Sequence, residues 1–223
     1  MKVTTINKIN YSLYVLCYND PIREERMIKR LKETGVTANI CSFKENIVEH
    51  SDRNISCFFN HLAMMKEFLL SDQEYGVFIE NDVYLKKNLC KGLLEACTIM
   101  NKLNFDVLLI GYLINKKPEA FGCRQIYYDG NSYYDYGAEL WGTQGFILTR
   151  KQAQYYIDKY TVEYVKQCNE TISADWIYTK QGNRALMYPP LVVEEGIIAE
   201  KKHQGQINFH KTCKEFLYNS SYI

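Results

Sequence analysis

Tyr75-Gly76-Val77-Phe78-Ile79 is an apolar run that ends abruptly in Glu80-Asn81-Asp82. A short apolar run bounded by polar residues reads as a buried strand. On either side the period changes to that of a helix. Asn60 to Leu70 places Leu62, Met65, Phe68 and Leu69 at helical spacing, and Asn88 to Leu103 predicts a second helix capped by Asn88. Asp106 to Tyr112 (DVLLIGY) is a further apolar strand. Upstream, Tyr11 to Tyr18 (YSLYVLCY) predicts another strand, followed by Asn19-Asp20-Pro21. Asp20 suits an N-cap, with Pro21 at the first helical position. The helix runs to about Glu33 with Ile22, Met27, Ile28 and Leu31 as its inner face, Gly35 stops it, and Val36 to Phe43 returns as a strand. Strands and helices thus alternate through the first half, which predicts an α/β fold with a largely parallel sheet.

The second half is less regular. Asn115 to Leu140 is long, tyrosine-rich and without a clear period. A loop of that length in a compact domain is usually functional. Gly145 to Thr149 reads as a strand, Arg150 to Lys159 as a helix, Asp175 to Gln181 as a short helix, and Ala185 to Tyr188 and Leu191 to Val193 as strand pieces around Pro189-Pro190. No repeat or linker divides the chain, so a single domain is expected over residues 1–223, with a core at about 11–195 and a tail at about 196–223.

The 223 residues are 47% hydrophobic and 24% charged with a net charge of +1, which excludes a disordered or fibrous chain. The 27 basic residues are scattered, so no basic face invites nucleic acid. No apolar run approaches the roughly 18–20 residues of a membrane helix. Met1 to Asn10 is polar and has no signal-peptide core. None of the eight cysteines forms a CxxC pair. Several sit in apolar runs, so they are expected as reduced thiols in a cytoplasmic setting. Oligomeric state is left open.

Open α/β sheets bind ligands at the carboxyl ends of their strands. Carboxylates two apart on an extended segment point the same way. Glu80 and Asp82 can therefore share a hard cation bridging phosphate oxygens; a polar strand end with a turn is the alternative.

Several blocks, in order, resemble glycosyltransferase family 25, the lipopolysaccharide and collagen sugar transferases of GT-A fold. They are Tyr14-Val15-Leu16 with Arg23, Glu25, Arg26 and Met27; Cys57-Phe58-Phe59-Asn60-His61-Leu62-Ala63, with Asn60 where the family has Ser; Val77 to Val83; Asp106 to Gly111; Gly142-Thr143-Gln144-Gly145-Phe146-Ile147-Leu148-Thr149-Arg150; Ala174-Asp175-Trp176; and Pro189-Pro190-Leu191-Val192. The resemblance covers roughly Tyr11 to Glu195 and follows the family poorly beyond it. Asn81 stands where the family usually has Asp.

The resemblance implies a GT-A-type, Rossmann-like fold: a central, mostly parallel sheet flanked by helices. It also implies a hexosyltransferase taking a UDP-linked nucleotide sugar as donor and a hydroxyl of a glycan as acceptor. A divalent cation, Mn²⁺ or Mg²⁺, would stabilise the departing diphosphate on Glu80 and Asp82. The family's chemistry is inverting, with a carboxylate as general base. Asp175 is the candidate, at a helix start where a capping role asks for the same residue type. A late histidine, His203 ahead of His210, is the candidate further ligand to metal or diphosphate, beside Lys201 and Lys202; a solvated basic stretch is the alternative. On the donor side stand Asn81, the segment Gly142-Thr143-Gln144-Gly145, and Arg23 and Arg26, three apart on one helix face. A solvated face would explain the arginines equally. His61 either orders the donor pocket or is a satisfied buried histidine. Trp141, Tyr134 and Tyr136 offer aromatic faces to an acceptor sugar, unless the tyrosines serve only to fold their own loop. The rival readings are a non-catalytic sugar-binding domain of the same fold and a nucleotidyltransferase. The latter usually opens with a glycine-rich phosphate loop, and Tyr18-Asn19-Asp20-Pro21 has no glycine.

Overall fold

The computed structural model describes residues 10–43, 53–137, 140–196 and 204–223. Its strands are β1 (Tyr11–Cys17), β2 (Asn39–Ser42), β3 (Tyr75–Glu80), β4 (Val83–Leu85), β5 (Val107–Leu113), β6 (Arg124–Tyr128), β7 (Ser132–Asp135), β8 (Trp141–Thr149), β9 (Arg184–Tyr188) and β10 (Val192–Glu194). Its α-helices are α1 (Pro21–Thr34), α2 (Arg53–Leu70), α3 (Leu89–Leu103), α4 (Arg150–Lys159), α5 (Val162–Gln167), α6 (Ala174–Ile177) and α7 (Gln204–Leu217).

Eight strands form one sheet in the order β2-β1-β3-β8-β5-β9-β7-β6. Only β7 and β8 run against the rest, so the expected mostly parallel α/β sheet is present. Both faces are covered, which is why its central strands read as continuous apolar runs. Alternate residues go to opposite cores. Tyr14, Phe78 and Leu109 face α2 and α4, while Val15, Ile79 and Leu108 face α1 and α3.

Local chemistry sets the boundaries of α1. The Asp20 carboxylate accepts from the backbone N–H groups of Ile22 and Arg23, both at 3.1 Å, with Pro21 behind it. Gly35 ends the helix at φ 68°, a left-handed conformation glycine adopts without steric cost. The inner face differs from expectation. Met27 and Leu31 are buried, but Ile22 and Ile28 are exposed, and Arg30 takes the remaining inward position. Arg30 is tolerated there because the buried Glu195 pairs with it.

Two further differences bear on the site. Residues 141–149 form one strand, so the glycine segment lies within β8 and not in a loop before it. Because β8 runs antiparallel to β3, its first residues lie at the end of the sheet where β3 finishes. The tyrosine-rich stretch folds as the β6–β7 hairpin on the sheet's edge, its turn closed by Gly130 at φ 96°. Asn88 precedes α3 but makes no side-chain capping bond.

Candidate active site

β3 delivers Glu80, and the turn after it Asn81 and Asp82, to a cleft of about 120 Å³. Leu16, Tyr18, Arg23, Phe43 and Cys57 complete its lining. The cleft lies at the carboxyl ends of β1 and β3, where Leu16 pairs with Glu80.

The acids sit in different surroundings. Glu80 Oε1 is 3.3 Å from the Thr143 hydroxyl and 3.5 Å from His61 Nε2. Asp82 accepts from Arg23 Nη1 at 3.2 Å, and Arg23 Nε also lies 3.4 Å from Asp20. The other Asp82 oxygen, Oδ1, is buried without a hydrogen-bond partner. Burial, followed by the charges of Glu80 and Glu194, pushes the Asp82 carboxyl up to about 7, against the pull of Arg23. Hard oxygen donors, one of them orphaned, and mutually repelling negative charge fit the divalent cation that the sequence suggested. Asn81 is buried, with its amide nitrogen unpartnered.

Asp175 is not a helix cap. Ser173 occupies the N-cap position of α6. The Asp175 carboxylate instead reaches across to β8, where Oδ1 accepts from the Thr143 backbone N–H at 2.9 Å and its hydroxyl at 3.1 Å. The Thr143 hydroxyl, with one proton to give, thus stands between Asp175 at 3.1 Å and Glu80 at 3.3 Å and donates to one of them at a time. Beside this bridge Trp141 and Trp176 lie with ring centroids 5.1 Å apart, 49% and 39% exposed.

Other expected residues are placed differently. Tyr134 and Tyr136 are buried, and their hydroxyls donate to Glu119 and to the Thr179 carbonyl. They fold their own segment and present no ring to a sugar; the exposed ring beside Trp141 is Trp176. The glycines of β8 have a packing reason. A Cβ at Gly145 would lie 2.5 Å from Val192 Cγ2, and one at Gly142 would lie 2.7 Å from Tyr112 Cα. Protein, and not open space, fills both positions. Gln144 is buried with an orphaned Oε1, beside the equally buried Thr143.

Arg26 pairs with Glu195 at 2.6 Å and does not line the cleft. His61 is fully buried; desolvation pushes its pKa down to about 4, against the pull of Asp175. Neither of its ring nitrogens has a hydrogen-bond partner, so it is not a satisfied core histidine. His203, with Lys201 and Lys202, lies outside the described residues. His210 on α7 is held by Glu194 at 2.7 Å.

The sequence reading passed over Cys57, Trp176, Glu194 and Glu195 as site residues. Cys57 falls one helical turn before His61 and Trp176 directly after Asp175; those offsets were the available signal.

The profile described as glycosyltransferase family 25 (LPS biosynthesis protein) matches residues 29–172. Two relatives from Neisseria meningitidis serogroup B (strain ATCC BAA-335 / MC58) are similar over part of the chain. The lacto-N-neotetraose biosynthesis glycosyltransferase LgtE is 24% identical over 55% of this chain and 41% of its own length. The lacto-N-neotetraose biosynthesis glycosyltransferase LgtB is 26% identical over 47% of this chain and 39% of its own. The matches thus span about two fifths of each relative. Among solved structures, a glycosyltransferase involved in the glycosylation of the major capsid of PBCV-1 superposes at TM-score 0.50, with 10% identity, over 88% of this chain and 98% of that one. At that identity the likeness is one of fold. Among the described residues no helix is long and apolar enough to cross a membrane.

Proposed function

The chain belongs to glycosyltransferase family 25, and from that premise we propose that its cleft transfers a hexose from a UDP-linked nucleotide sugar to a glycan hydroxyl with inversion. The observation that carries this reading is the Thr143 bridge. One side chain on β8 lies 3.3 Å from Glu80 and 3.1 Å from Asp175, gathering the strand-end acid and a second carboxylate from separate segments.

Glu80 and Asp82 would hold the divalent cation, Mn²⁺ or Mg²⁺, with the diphosphate. When bound it supplies a Lewis acid for the charge of the departing nucleotide. Arg23, in the cleft on Asp82, would offer its guanidinium to the phosphates. Asp175 accepts the proton of the acceptor hydroxyl as that oxygen attacks the anomeric carbon. Two hydrogen bonds from Thr143 fix its Oδ1 and so hold the carboxylate plane. Trp141 and Trp176 form the acceptor platform, packing on the C–H face of a sugar ring.

The test is nucleotide release over a panel of nucleotide sugars, with and without Mn²⁺. Slow, cation-dependent hydrolysis of one UDP-sugar is expected. Neither turnover nor cation-dependent binding of any nucleotide sugar would overturn the proposal.

A further inference from the structure

A second set of ligand-type side chains sits beside these acids. Cys57 and His61 are four residues apart on α2 and share one helix face. Glu80 meets them from the end of β3. Cys57 Sγ, a His61 ring nitrogen and a Glu80 carboxylate oxygen all lie within 4.8 Å of one another. His61 is fully buried, aimed at this cluster, and has no hydrogen-bond partner on either nitrogen. Its Nε2 is 3.5 Å from Glu80 Oε1. Cys57 and Glu80 both line the cleft, so an ion has a route from solvent.

We propose that Cys57, His61 and Glu80 form a site for a divalent ion of the Zn²⁺ class, with its fourth position toward the cleft. Thiolate, imidazole and carboxylate together are a set that Zn²⁺ takes in tetrahedral geometry, whereas Mn²⁺ and Mg²⁺ favour oxygen. A tetrahedral ion draws such ligand atoms to about 3.5 Å from one another. Small side-chain rotations supply that contraction. Binding releases the Cys57 thiol proton to solvent as the sulfur–metal bond forms, and His61 enters as the neutral imidazole. Glu80 cannot serve two ions independently. Zn²⁺ here withdraws an oxygen ligand from the donor's cation and inhibits transfer. This last consequence rests on the role given to Glu80 above; the site itself does not.

Co²⁺ is the probe for the site. The purified full chain should bind one Co²⁺ with a thiolate-to-metal charge-transfer band, and Zn²⁺ should displace it. The band should vanish in Cys57→Ser and in His61→Gln and persist in Asp82→Asn. On the unmutated protein, Zn²⁺ should protect Cys57 from alkylation, read by peptide mass spectrometry, whether or not a variant folds. Absence of the band, its survival in Cys57→Ser, its loss in Asp82→Asn, or an unprotected Cys57 would each overturn the site. The inhibition is read as nucleotide release with Zn²⁺ divided by release without it. At micromolar Zn²⁺ this ratio should fall at least tenfold below one, and Cys57→Ser should restore it. A ratio near one in a chain that shows the band would overturn the inhibition and leave the site standing.

Discussion

Thr143 separates two roles that one carboxylate could otherwise confuse. Its backbone N–H and hydroxyl both donate to Asp175 Oδ1, so the acid is anchored through one oxygen. Asp175→Asn keeps an acceptor at that position and loses the base. Transfer should fall by about 10²–10⁴-fold, while the melting temperature and cation-dependent UDP-sugar affinity stay near those of the native protein. Turnover close to native would remove Asp175 from the chemistry; turnover and melting temperature falling together would make it structural. The neighbouring ring pair gives an independent check. Trp176 is 39% exposed, so its removal leaves no core cavity. Trp176→Ala should raise the acceptor KM about tenfold or more and leave slow donor hydrolysis unchanged. Equal losses in both rates would mean that the ring serves the donor side instead.

At the scale of elements, the wall of the cleft depends on a clamp between α1 and the end of β10. Glu195 is buried, and it pairs with Arg30 at 2.5 Å and Arg26 at 2.6 Å. Its backbone N–H donates to the Asp82 carbonyl at 2.8 Å, so the clamp reaches the turn that carries the candidate cation ligand. Arg30 also donates to the Val83 carbonyl at 2.9 Å. Removing one partner of a buried ion pair strands the other and costs about 3–5 kcal/mol. Glu195→Ala should therefore lower the urea midpoint by that equivalent, and a loss under 1 kcal/mol would show the arginines to be solvated. This clamp explains what the sequence could and could not show. The alternation around β3 was legible because both faces of the sheet are buried and the helices between its strands are amphipathic. Asp20 and Gly35 were legible because caps and stops are local chemistry. The three-residue strand β4 is too short to show a period, and α7 was not foreseen, whereas β10 falls on the strand piece expected at Leu191 to Val193. Nor could spacing show that Arg26 turns to Glu195, or that Tyr134 and Tyr136 are buried with their hydroxyls bonded. Those outcomes depend on partners far along the chain. Glu80 and Asp82 were marked by position at a strand end, and Asp175 by the family resemblance together with its place at a helix start; the Thr143 side chain standing between Glu80 and Asp175 is visible only once β8 is seen to run antiparallel.

Across the whole molecule, the site leaves a signature in the dependence of stability on pH. Within the site, the surroundings of Asp82 and His61 shift these two groups in opposite senses. Desolvation and the charges of Glu80 and Glu194 raise Asp82 from 3.8 to about 7, more than Arg23 lowers it. Between those values the native chain holds a proton that the unfolded chain has released, so stability falls as pH rises through the window. Desolvation lowers His61 from 6.5 to about 4. In that interval the unfolded chain binds the extra proton, so stability rises with pH. From about pH 4 to 6.5 the two slopes oppose and largely offset each other; from about 6.5 to 7, of the two, Asp82 alone still contributes. Asp82→Asn removes one slope. It should raise the melting temperature at pH 8, where the native carboxylate is charged in a buried, negative cleft. The gain should disappear near pH 4, where the native carboxyl holds its proton. The same variant should lose cation-dependent donor binding, because the charge that destabilises the empty cleft is the one a cation would use. Melting curves of both proteins at pH 4, 6 and 8, with Mn²⁺ and UDP titrated at pH 8, decide the matter. A variant less stable than the native protein at pH 8 would mean that the Arg23 pair outweighs desolvation and repulsion. Unchanged cation affinity would remove Asp82 from the candidate metal ligands.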